Sequence, residues 1–380
     1  MTMAIANIFR PLKRGVRVGP IGLDVGSRHV HAAQLALTSG GVWTLHASAL
    51  FPRSADTQGK PLTADEAHRI GDVLFRQNFI GHELVLAVPD EKLLTANLEL
   101  PARTNEMPMD EIARAEFVRS LKVESEAIEF TYWDLPAPAR AAKTTHVMAV
   151  GCKHSDCEPT IDAFESAGFE LRAIEVEACA LTRACVAVAA PPTEITAIAD
   201  IGWRAVRLFV VHQGVVSYQR SLAGYGMERL HHALAEQFNV DERDAVIDEV
   251  LRRVAIGDRA GATEPDAVAA NTEARRVLRS HFDAVTAEII TSLSYTSHQY
   301  PDASVSRIVL CGGGASLHGL AEYVGAQLTI PTVTARAGEL LRVTDERIAV
   351  DPSLTLAIGL AMNGDPGHGD RGRDGQGNGK

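Results

Sequence analysis

Two aspartates, each followed two positions later by a glycine, are the residues of this chain best suited to chemistry. Asp24 and Gly26 follow an alternating apolar run that predicts a strand, and Asp200 and Gly202 end a second short apolar run. Each bend places a carboxylate beside exposed backbone N–H groups, which is the arrangement that Mg²⁺ and phosphate need together. A single copy of such a bend is more often an ordinary hairpin turn.

The elements around the two bends repeat as well, which favours a functional interpretation. Each bend is followed by a predicted returning strand, a glycine-containing turn and a third predicted strand. An internal repeat of this kind predicts a duplicated domain. The first copy has strands over 30–37 and 42–50 around Gly40-Gly41, and the second has strands over 206–212 and 215–218 around Gln213-Gly214.

A run of three glycines forms a further candidate loop. Gly312, Gly313 and Gly314 follow a predicted strand over 307–311 and precede a predicted helix over 316–328. Consecutive glycines let the backbone approach a flat ligand closely. The triplet alone is a weak signal, but its position after both aspartate bends makes the combination fairly specific.

The composition limits the functions open to the chain. With 380 residues, 46% of them apolar, and a net charge of −11, it is predicted to be globular and to lack a basic field for nucleic acid. No apolar run reaches the roughly 20 residues that a membrane span needs, and the N-terminus lacks the apolar region of a secretion signal. We therefore expect a cytosolic protein.

The cysteines and histidines form no recognisable metal motif. The five cysteines contain no CxxC pair and lie mostly in apolar runs, so we expect buried free thiols in a reducing compartment. The histidine pairs belong to different halves and lack a carboxylate at ligand spacing, which favours solvated or cleft-lining side chains. These residues are Cys152, Cys157, Cys179, Cys185 and Cys311, with His29, His31, His231 and His232.

An insertion interrupts the first half of the chain. Residues 101–168 contain, in order, a predicted helix, two predicted strands and a second predicted helix, which together predict a small α+β subdomain. Pro191-Pro192 marks the junction between the halves. The predicted units are a flexible basic tail (1–18), a first domain in two parts (19–100 and 169–190) around the inserted subdomain (101–168), a second domain (191–352), a helix returning to the first domain (353–362) and a disordered tail (363–380).

Local signals predict the helices. Thr63, with Glu66 three positions later, predicts a capping box at a helix start. A mobile segment is expected over 265–271. A long amphipathic helix, marked by Phe282, Val285, Ile289 and Leu293, is predicted to end near Tyr300. Further helices are predicted over 108–118, 155–168, 177–190, 227–238, 242–256 and 353–362.

The order of these features resembles the actin-like ATPase fold, and within it the PilM family of type IV pilus assembly proteins, which are related to the cell-division protein FtsA. The resemblance implies duplicated actin-like (ribonuclease H-like) α/β domains around a nucleotide cleft. Segment 111–135 resembles the inserted subdomain that separates PilM and FtsA from actin and the sugar kinases. The supporting stretches are IGLDVGS (21–27), EIARAEFVRSLKVESEAIEFTYWDL (111–135), EVEACALTRA (175–184), EIITSLSY (288–295), IVLCGGGASLHGLAEYV (308–324) and LTLAIGLAM (354–362).

The resemblance also implies contacts for ATP and Mg²⁺. The two aspartates would hold Mg²⁺ through water, and backbone N–H groups of the bends would take the phosphate oxygens. The implied residues are Asp24, Gly26 and Ser27 in the first phosphate loop, Asp200 and Gly202 in the second, Glu177 at the nucleotide cleft, and Gly312, Gly313 and Gly314 facing the adenosine.

Several residues depart from the family pattern at these contacts. An arginine in each loop could supply charge to phosphates in another way. The simpler interpretation is weak nucleotide binding or none, and at most a weak ATPase. The departures are Arg28 and His29 in place of small residues, His31 in place of a lysine, Trp203-Arg204-Ala205 in place of a small hydroxyl residue after the second glycine, and Val246 and Glu249 where the family often has Glu and Lys.

We expect, on this basis, a scaffold of a type IV pilus or type II secretion-like assembly, peripheral to the inner membrane. The resemblance implies that a groove beside the inserted subdomain receives the cytoplasmic tail of a PilN-like membrane partner, among other assembly proteins. The alternative is a working switch that closes on Mg-ATP.

Two other functions are disfavoured. An FtsA-like filament protein is disfavoured because residues 363–380 have almost no apolar residues for a membrane helix. A sugar kinase is disfavoured because no catalytic base is recognisable. The sequence leaves open whether copies of the chain associate, and whether the basic N-terminal segment is solvated or contacts an anionic membrane or a neighbouring chain.

Overall fold

A computed structural model of the chain describes residues 17–38, 41–104, 107–136, 144–241, 245–257, 265–341 and 351–363. Most of the tails predicted over 1–18 and 363–380, and Gly40 of the first predicted turn, lie outside these residues. Arg17 and Val18, predicted to belong to the basic tail, instead begin the first strand, where they pair with Leu37 and Ala36.

The strands and helices follow one another in chain order. The strands are β1 (Arg17–Val25), β2 (His29–Leu37), β3 (Trp43–Pro52), β4 (Glu83–Ala87), β5 (Leu94–Pro101), β6 (Ile128–Asp134), β7 (Thr144–Lys153), β8 (Glu170–Glu175), β9 (Ile195–Ile201), β10 (Ala205–His212), β11 (Val215–Ala223), β12 (Val305–Cys311) and β13 (Thr332–Thr334). The helices are α1 (Ala64–Arg76), α2 (Met109–Leu121), α3 (His154–Ser166), α4 (Glu177–Ala184), α5 (Met227–Phe238), α6 (Ala245–Arg253), α7 (Pro265–Gln299), α8 (Leu320–Leu328), α9 (Ala337–Leu340) and α10 (Thr355–Ala361).

Two five-stranded sheets have the same strand order and the same strand directions. The first runs β3-β2-β1-β4-β8 and the second runs β11-β10-β9-β12-β13. In each sheet the first three strands are antiparallel and the last two are added in parallel. The predicted duplication is therefore confirmed, and in both sheets the aspartate bend lies where the central strand ends.

The insertion forms a third sheet of order β5-β7-β6, and its bounds differ from the predicted 101–168. β5, which was predicted to belong to the first domain, is part of this sheet because it pairs with β7. α3, which was predicted to belong to the insertion, packs on the first domain because its Phe164 lies in the apolar core around β1 and α1.

One face of the inserted sheet is covered by α2, whose Phe117 packs on apolar residues from all three strands. The other face meets the second half of the chain: Met148 belongs to the same apolar cluster as Phe209, and Nε1 of Trp133 donates to the carbonyl oxygen of Val216 at 2.7 Å. The insertion is therefore packed against both halves.

Three predicted helices differ from those observed, and each difference has a local cause. Residues 265–271, expected to be mobile, belong to α7, because Pro265 occupies a first helical position where its missing N–H costs nothing. The helix predicted over 177–190 ends at Ala184 and continues as a 3₁₀ turn over 185–187, where β-branched Val186 and Val188 disfavour α-helix. The helix predicted from Ser316 begins at Leu320, because Gly319 has a left-handed φ of +79°.

The predicted capping box at α1 is half correct. The side chain of Thr63 accepts a hydrogen bond from the backbone N–H of Glu66 at 3.3 Å, as a cap should. The Glu66 carboxylate does not return to the cap. It is buried and accepts hydrogen bonds from Arg53 at 2.8 and 2.6 Å and from Thr57 at 2.7 Å, since a buried carboxylate gains more from a guanidinium than from one backbone N–H.

The last helix, α10, packs directly against the backbone of the first half. A Cβ on Gly22 of β1 would lie 2.1 Å from the carbonyl oxygen of Ala357, and a Cβ on Gly359 would lie 2.1 Å from that of Ala180. Only glycine permits such close approach of two backbones. Among the described residues, none of the helices combines the length and the apolar character that crossing a membrane requires.

Candidate functional site in the cleft between the two sheets

The two aspartate bends have equivalent geometry. We call residues 24–28 the first bend and residues 200–204 the second bend. The backbone N–H of Gly26 donates to the carbonyl of His29 at 3.0 Å, and that of Gly202 donates to Ala205 at 3.1 Å, so each turn closes over the same number of residues. In the strand register, Asp24 lies opposite His31 and Asp200 lies opposite Arg207.

In the first half, His31 neutralises Asp24. Nδ1 of the imidazole lies 3.0 Å from Oδ2 of the carboxylate, and both side chains are largely buried. Burial disfavours the charged ring, but the hydrogen bond and the charge of Asp24 outweigh it and raise the pKa of His31 above its usual value. The first bend therefore carries a carboxylate paired with a titratable cation.

In the second half, Arg207 bridges two buried carboxylates. Its guanidinium donates to Oδ2 of Asp200 at 2.5 Å and also to Oε2 of Glu177, the first residue of α4. Burial raises the pKa of Glu177 well above its usual value, although the charge of Arg207 opposes this. Burial also opposes the charge of Arg207, but Glu177 and Asp200 outweigh it and raise the pKa of the guanidinium.

The two bends lie on one cleft. The charge of Asp24 contributes to the raised pKa of both Glu177 and Arg207, and the charge of Asp200 contributes to the raised pKa of His31. These interactions require the aspartates of the two halves to be close in space. The charges of both aspartates therefore act on the same group of side chains.

The glycine triplet packs against the second bend. A Cβ on Gly312, whose φ is +80°, would lie 2.2 Å from Oδ1 of Asp200, and a Cβ on Gly314 would lie 2.3 Å from the side chain of Ile201. A Cβ on Gly313 would meet nothing within 4 Å. Gly312 and Gly314 therefore serve the close packing of the triplet, and Gly313 has free space beside it.

Residues that depart from the family pattern bridge the two bends. The guanidinium of Arg28 lies 4.3 Å from the centre of the Trp203 ring. Arg204 donates to the carbonyl oxygen of Gly59 at 2.7 Å, and the N–H of Gly59 donates to the carbonyl of Ser27 at 2.9 Å. Protein side chains thus join the first and second bends directly.

α6 carries two of the departures from the family pattern, Val246 and Glu249. Glu249 forms ion pairs within α6, with Arg252 at 2.8 Å and with Arg253, and Val246 is 47% exposed. Asp248, which the sequence did not single out, lies 4.0 Å from Nε2 of His231.

The histidines do have carboxylate neighbours, which the sequence spacing did not reveal. Asp24 lies beside His31, and Asp248 lies beside His231 and acts on the charge of His29. These contacts are made by the fold and not by neighbours in sequence. Within the described ranges, no three or more His, Cys, Asp or Glu side chains are grouped so that they could hold a metal ion.

The donor set in the cleft does not fit Mg²⁺ as it is arranged. Mg²⁺ takes oxygen ligands in near-octahedral geometry and keeps several waters. Oδ2 of Asp24 and Oδ2 of Asp200 already accept hydrogen bonds from His31 and Arg207. A divalent ion at either oxygen would have to displace a protein cation or be repelled by it.

Arg207 is the site residue that sequence reasoning missed. It follows Asp200 by seven positions, as His31 follows Asp24, and both lie in the returning strand of their hairpin. Aligning the two copies would have pointed to it. Its second contact, with Glu177 thirty residues earlier, has no local signal.

Comparison with known proteins identifies the fold and the family. The family model described as type IV pilus assembly protein PilM matches residues 22–365. The structure of a PilM-PilN type IV pilus biogenesis complex is similar, with a TM-score of 0.73, 20% identity, and coverage of 91% of this chain and 98% of that chain. The ethanolamine utilization protein EutJ from Carboxydothermus hydrogenoformans has a TM-score of 0.53, 14% identity, and coverage of 93% and 91%.

These likenesses confirm the predicted duplicated actin-like α/β fold. Because the family model spans most of the sequence, the chain belongs to the PilM family of type IV pilus assembly proteins.

Proposed function

We propose that this chain is a scaffold of a type IV pilus or type II secretion-like assembly at the cytoplasmic face of the inner membrane. Its inserted subdomain binds the cytoplasmic tail of a PilN-like membrane protein. The cleft between its two actin-like domains is held by its own side chains, so that Mg-ATP is bound weakly or not at all.

The family assignment and the inserted sheet both support binding of a PilN-like tail. A similar chain was solved in a complex with PilN, and the match covers nearly all of that chain. In the part of the chain that the structure describes, β5 and β6 each pair with β7 on one side only. Open strand edges present unpaired backbone groups, to which an extended peptide can add as a further strand. A short tail therefore has a place to bind beside the insertion.

The main support for a cleft that closes without nucleotide is the position of Arg207. Its guanidinium bridges Asp200 and Glu177, which are 4% and 5% exposed. A buried ion pair of this kind places a positive charge at carboxylates that a metal would otherwise use. Arg28 and Trp203 add a contact between the two bends that needs no ligand. These interactions support closure of the cleft without nucleotide.

Tail binding can be tested by titrating the purified chain with a labelled synthetic peptide that carries the cytoplasmic start of a PilN-like protein. We expect saturable binding with a similar Kd in the presence and absence of Mg-ATP. Hydrogen exchange should show added protection over residues 94–136 and 144–153, with α7 as an internal control that does not change. No binding at high micromolar peptide, or protection confined to α7, would overturn the proposal.

A second candidate is a switch that responds to Mg-ATP. One observation favours it: Oε1 of Glu177 is buried with no hydrogen-bond partner among the described residues, which leaves an acceptor free in the cleft. This candidate predicts that Mg-ATP raises the unfolding temperature of the chain and that Asp24→Ala abolishes the effect.

A further inference from the structure

Two cysteines lie side by side where the inserted sheet returns to the first domain. Sγ of Cys152, near the end of β7, is 3.2 Å from Sγ of Cys157, in the first turns of α3. A disulfide has an S–S distance of about 2.05 Å, so the two sulfurs have roughly 1 Å left to travel. Both thiols are free, and both residues keep 9% of their surface exposed.

The position of this thiol pair, Cys152 and Cys157, links two parts of the fold. β7 is the central strand of the inserted sheet, and α3 belongs to the segment that leads on to β8 of the first domain. Next to the pair, Lys92 before β5 donates to Asp156 of α3 at 2.8 Å, so the entry and the exit of the insertion are already joined by an ion pair. A covalent bond between the cysteines would fix the same junction.

We propose that Cys152 and Cys157 form a reversible disulfide when the chain meets a small-molecule disulfide such as oxidised glutathione. The bond joins the end of β7 to the start of α3 and sets the inserted subdomain in one orientation. The inference stands on the thiol pair alone and does not depend on the proposed partner or on the cleft.

The chemistry balances with one equivalent of oxidant. The Cys157 thiolate attacks one sulfur of the small disulfide, whose S–S bond breaks and releases one thiolate. Cys152 then gives up its proton and attacks Sγ of Cys157, which expels the second small thiolate. Two protein thiols are oxidised, one small disulfide is reduced to two thiols, and the two protons pass to those thiols.

The local environment favours Cys157 as the attacking group. A hydrogen bond with Cys152 stabilises its thiolate and lowers the pKa of Cys157 although burial opposes this, and the charge of Lys92 acts in the same direction as the hydrogen bond. The start of α3 adds the favourable end of a helix dipole. By contrast, burial raises the pKa of Cys179 and of Cys185 to about 12, which keeps those thiols protonated and unreactive.

The test is a thiol count under defined redox conditions. The full chain is equilibrated with graded mixtures of oxidised and reduced glutathione, quenched with acid, alkylated under denaturing conditions and weighed intact. Of the five thiols, two should be lost together, in one step, to a bond that peptide mapping assigns to Cys152 and Cys157. A strong dithiol reductant should restore all five.

Three variants sharpen the result. Cys157→Ser should lose no thiol to an internal bond, and Cys152→Ser should accumulate a single glutathione adduct on Cys157. Cys179→Ser is the matched control and should still form the bond. Retention of all five thiols in the wild-type chain, two glutathione adducts without closure, or a bond to any other cysteine would overturn the proposal.

Discussion

The two aspartate bends have the same backbone conformation, but a different cation neutralises the aspartate in each. Each bend ends the central strand of a sheet with the same strand order, and each aspartate faces the residue seven positions later. In the first half that residue is His31, whose pKa is raised by Asp24 and whose charge depends on pH. In the second half it is Arg207, which stays charged and also binds Glu177. The backbone geometry of the two bends is therefore equivalent, and one residue in each half decides whether the positive charge beside the aspartate depends on pH.

Removing the permanent positive charge of Arg207 should lower the unfolding free energy more than the other substitutions considered below. Arg207→Met leaves Asp200 and Glu177 buried together without a positive charge, and breaking a buried ion pair costs about 3–5 kcal/mol of unfolding free energy. Denaturant unfolding measures the loss. Arg220→Met is the matched control, since its pair with Glu288 is partly exposed and should contribute less than about 1 kcal/mol. Similar losses in the two variants would contradict the assignment.

A second asymmetry between the halves concerns the residue two positions before each aspartate. This residue is Gly22 in β1, where α10 touches the backbone, and Ile198 in β9. Gly22→Ala forces a methyl group against Ala357 and should cost about 3 kcal/mol, at the upper end for overpacking. Calorimetric unfolding measures it. Gly313→Ala, with open space at its Cβ, should change stability by no more than about 0.5 kcal/mol, and an equal effect of both would refute the close contact.

The titratable cation should make only the first half sensitive to pH. Because the folded-state pKa of His31 is raised, its pairing with Asp24 stabilises fully below the unfolded pKa of about 6.5 and is lost as pH rises through the folded pKa. The stability difference between wild type and His31→Gln should therefore fall with rising pH, from a maximum of about 1.5 kcal/mol.

Measuring unfolding from pH 5 to about 9 tests this expectation against the second half. Arg207 keeps its charge over this range, so the difference between wild type and Arg207→Met should not follow the same curve. A pH-independent effect of His31→Gln would show that the imidazole is not a charged partner of Asp24.

The contact between the two bends should contribute the least to the unfolding free energy. Arg28 over Trp203 is a cation–π pair, for which about 0.5–1 kcal/mol is typical when water has access. A double-mutant cycle with Arg28→Ala and Trp203→Ala isolates this coupling from the packing of the ring against His231. A coupling energy near zero would mean that the two bends are not joined through this pair.

Local patterns predicted much of the fold. Alternation in the hairpins, the cap at Thr63 and the order of the insertion were readable because each depends on a few neighbouring residues. The two aspartate bends could be predicted because the same motif occurs twice in the sequence. Contacts such as Arg207 with Glu177 and Arg53 with Glu66 were not, because they join residues whose proximity is decided by sheet packing. The full length of α7 was missed because alanines, with few larger apolar residues, occupy its first turns and give only a weak helical pattern.

The most direct test of the account is thermal unfolding of the purified chain with and without millimolar Mg-ATP. A nucleotide present at about one hundred times its Kd would stabilise the folded chain by about 2.7 kcal/mol. Because Arg207 and His31 already neutralise the cleft carboxylates, we predict no measurable rise in Tm. A rise of several degrees that Asp24→Ala removes would contradict closure by internal cations and would favour the Mg-ATP switch.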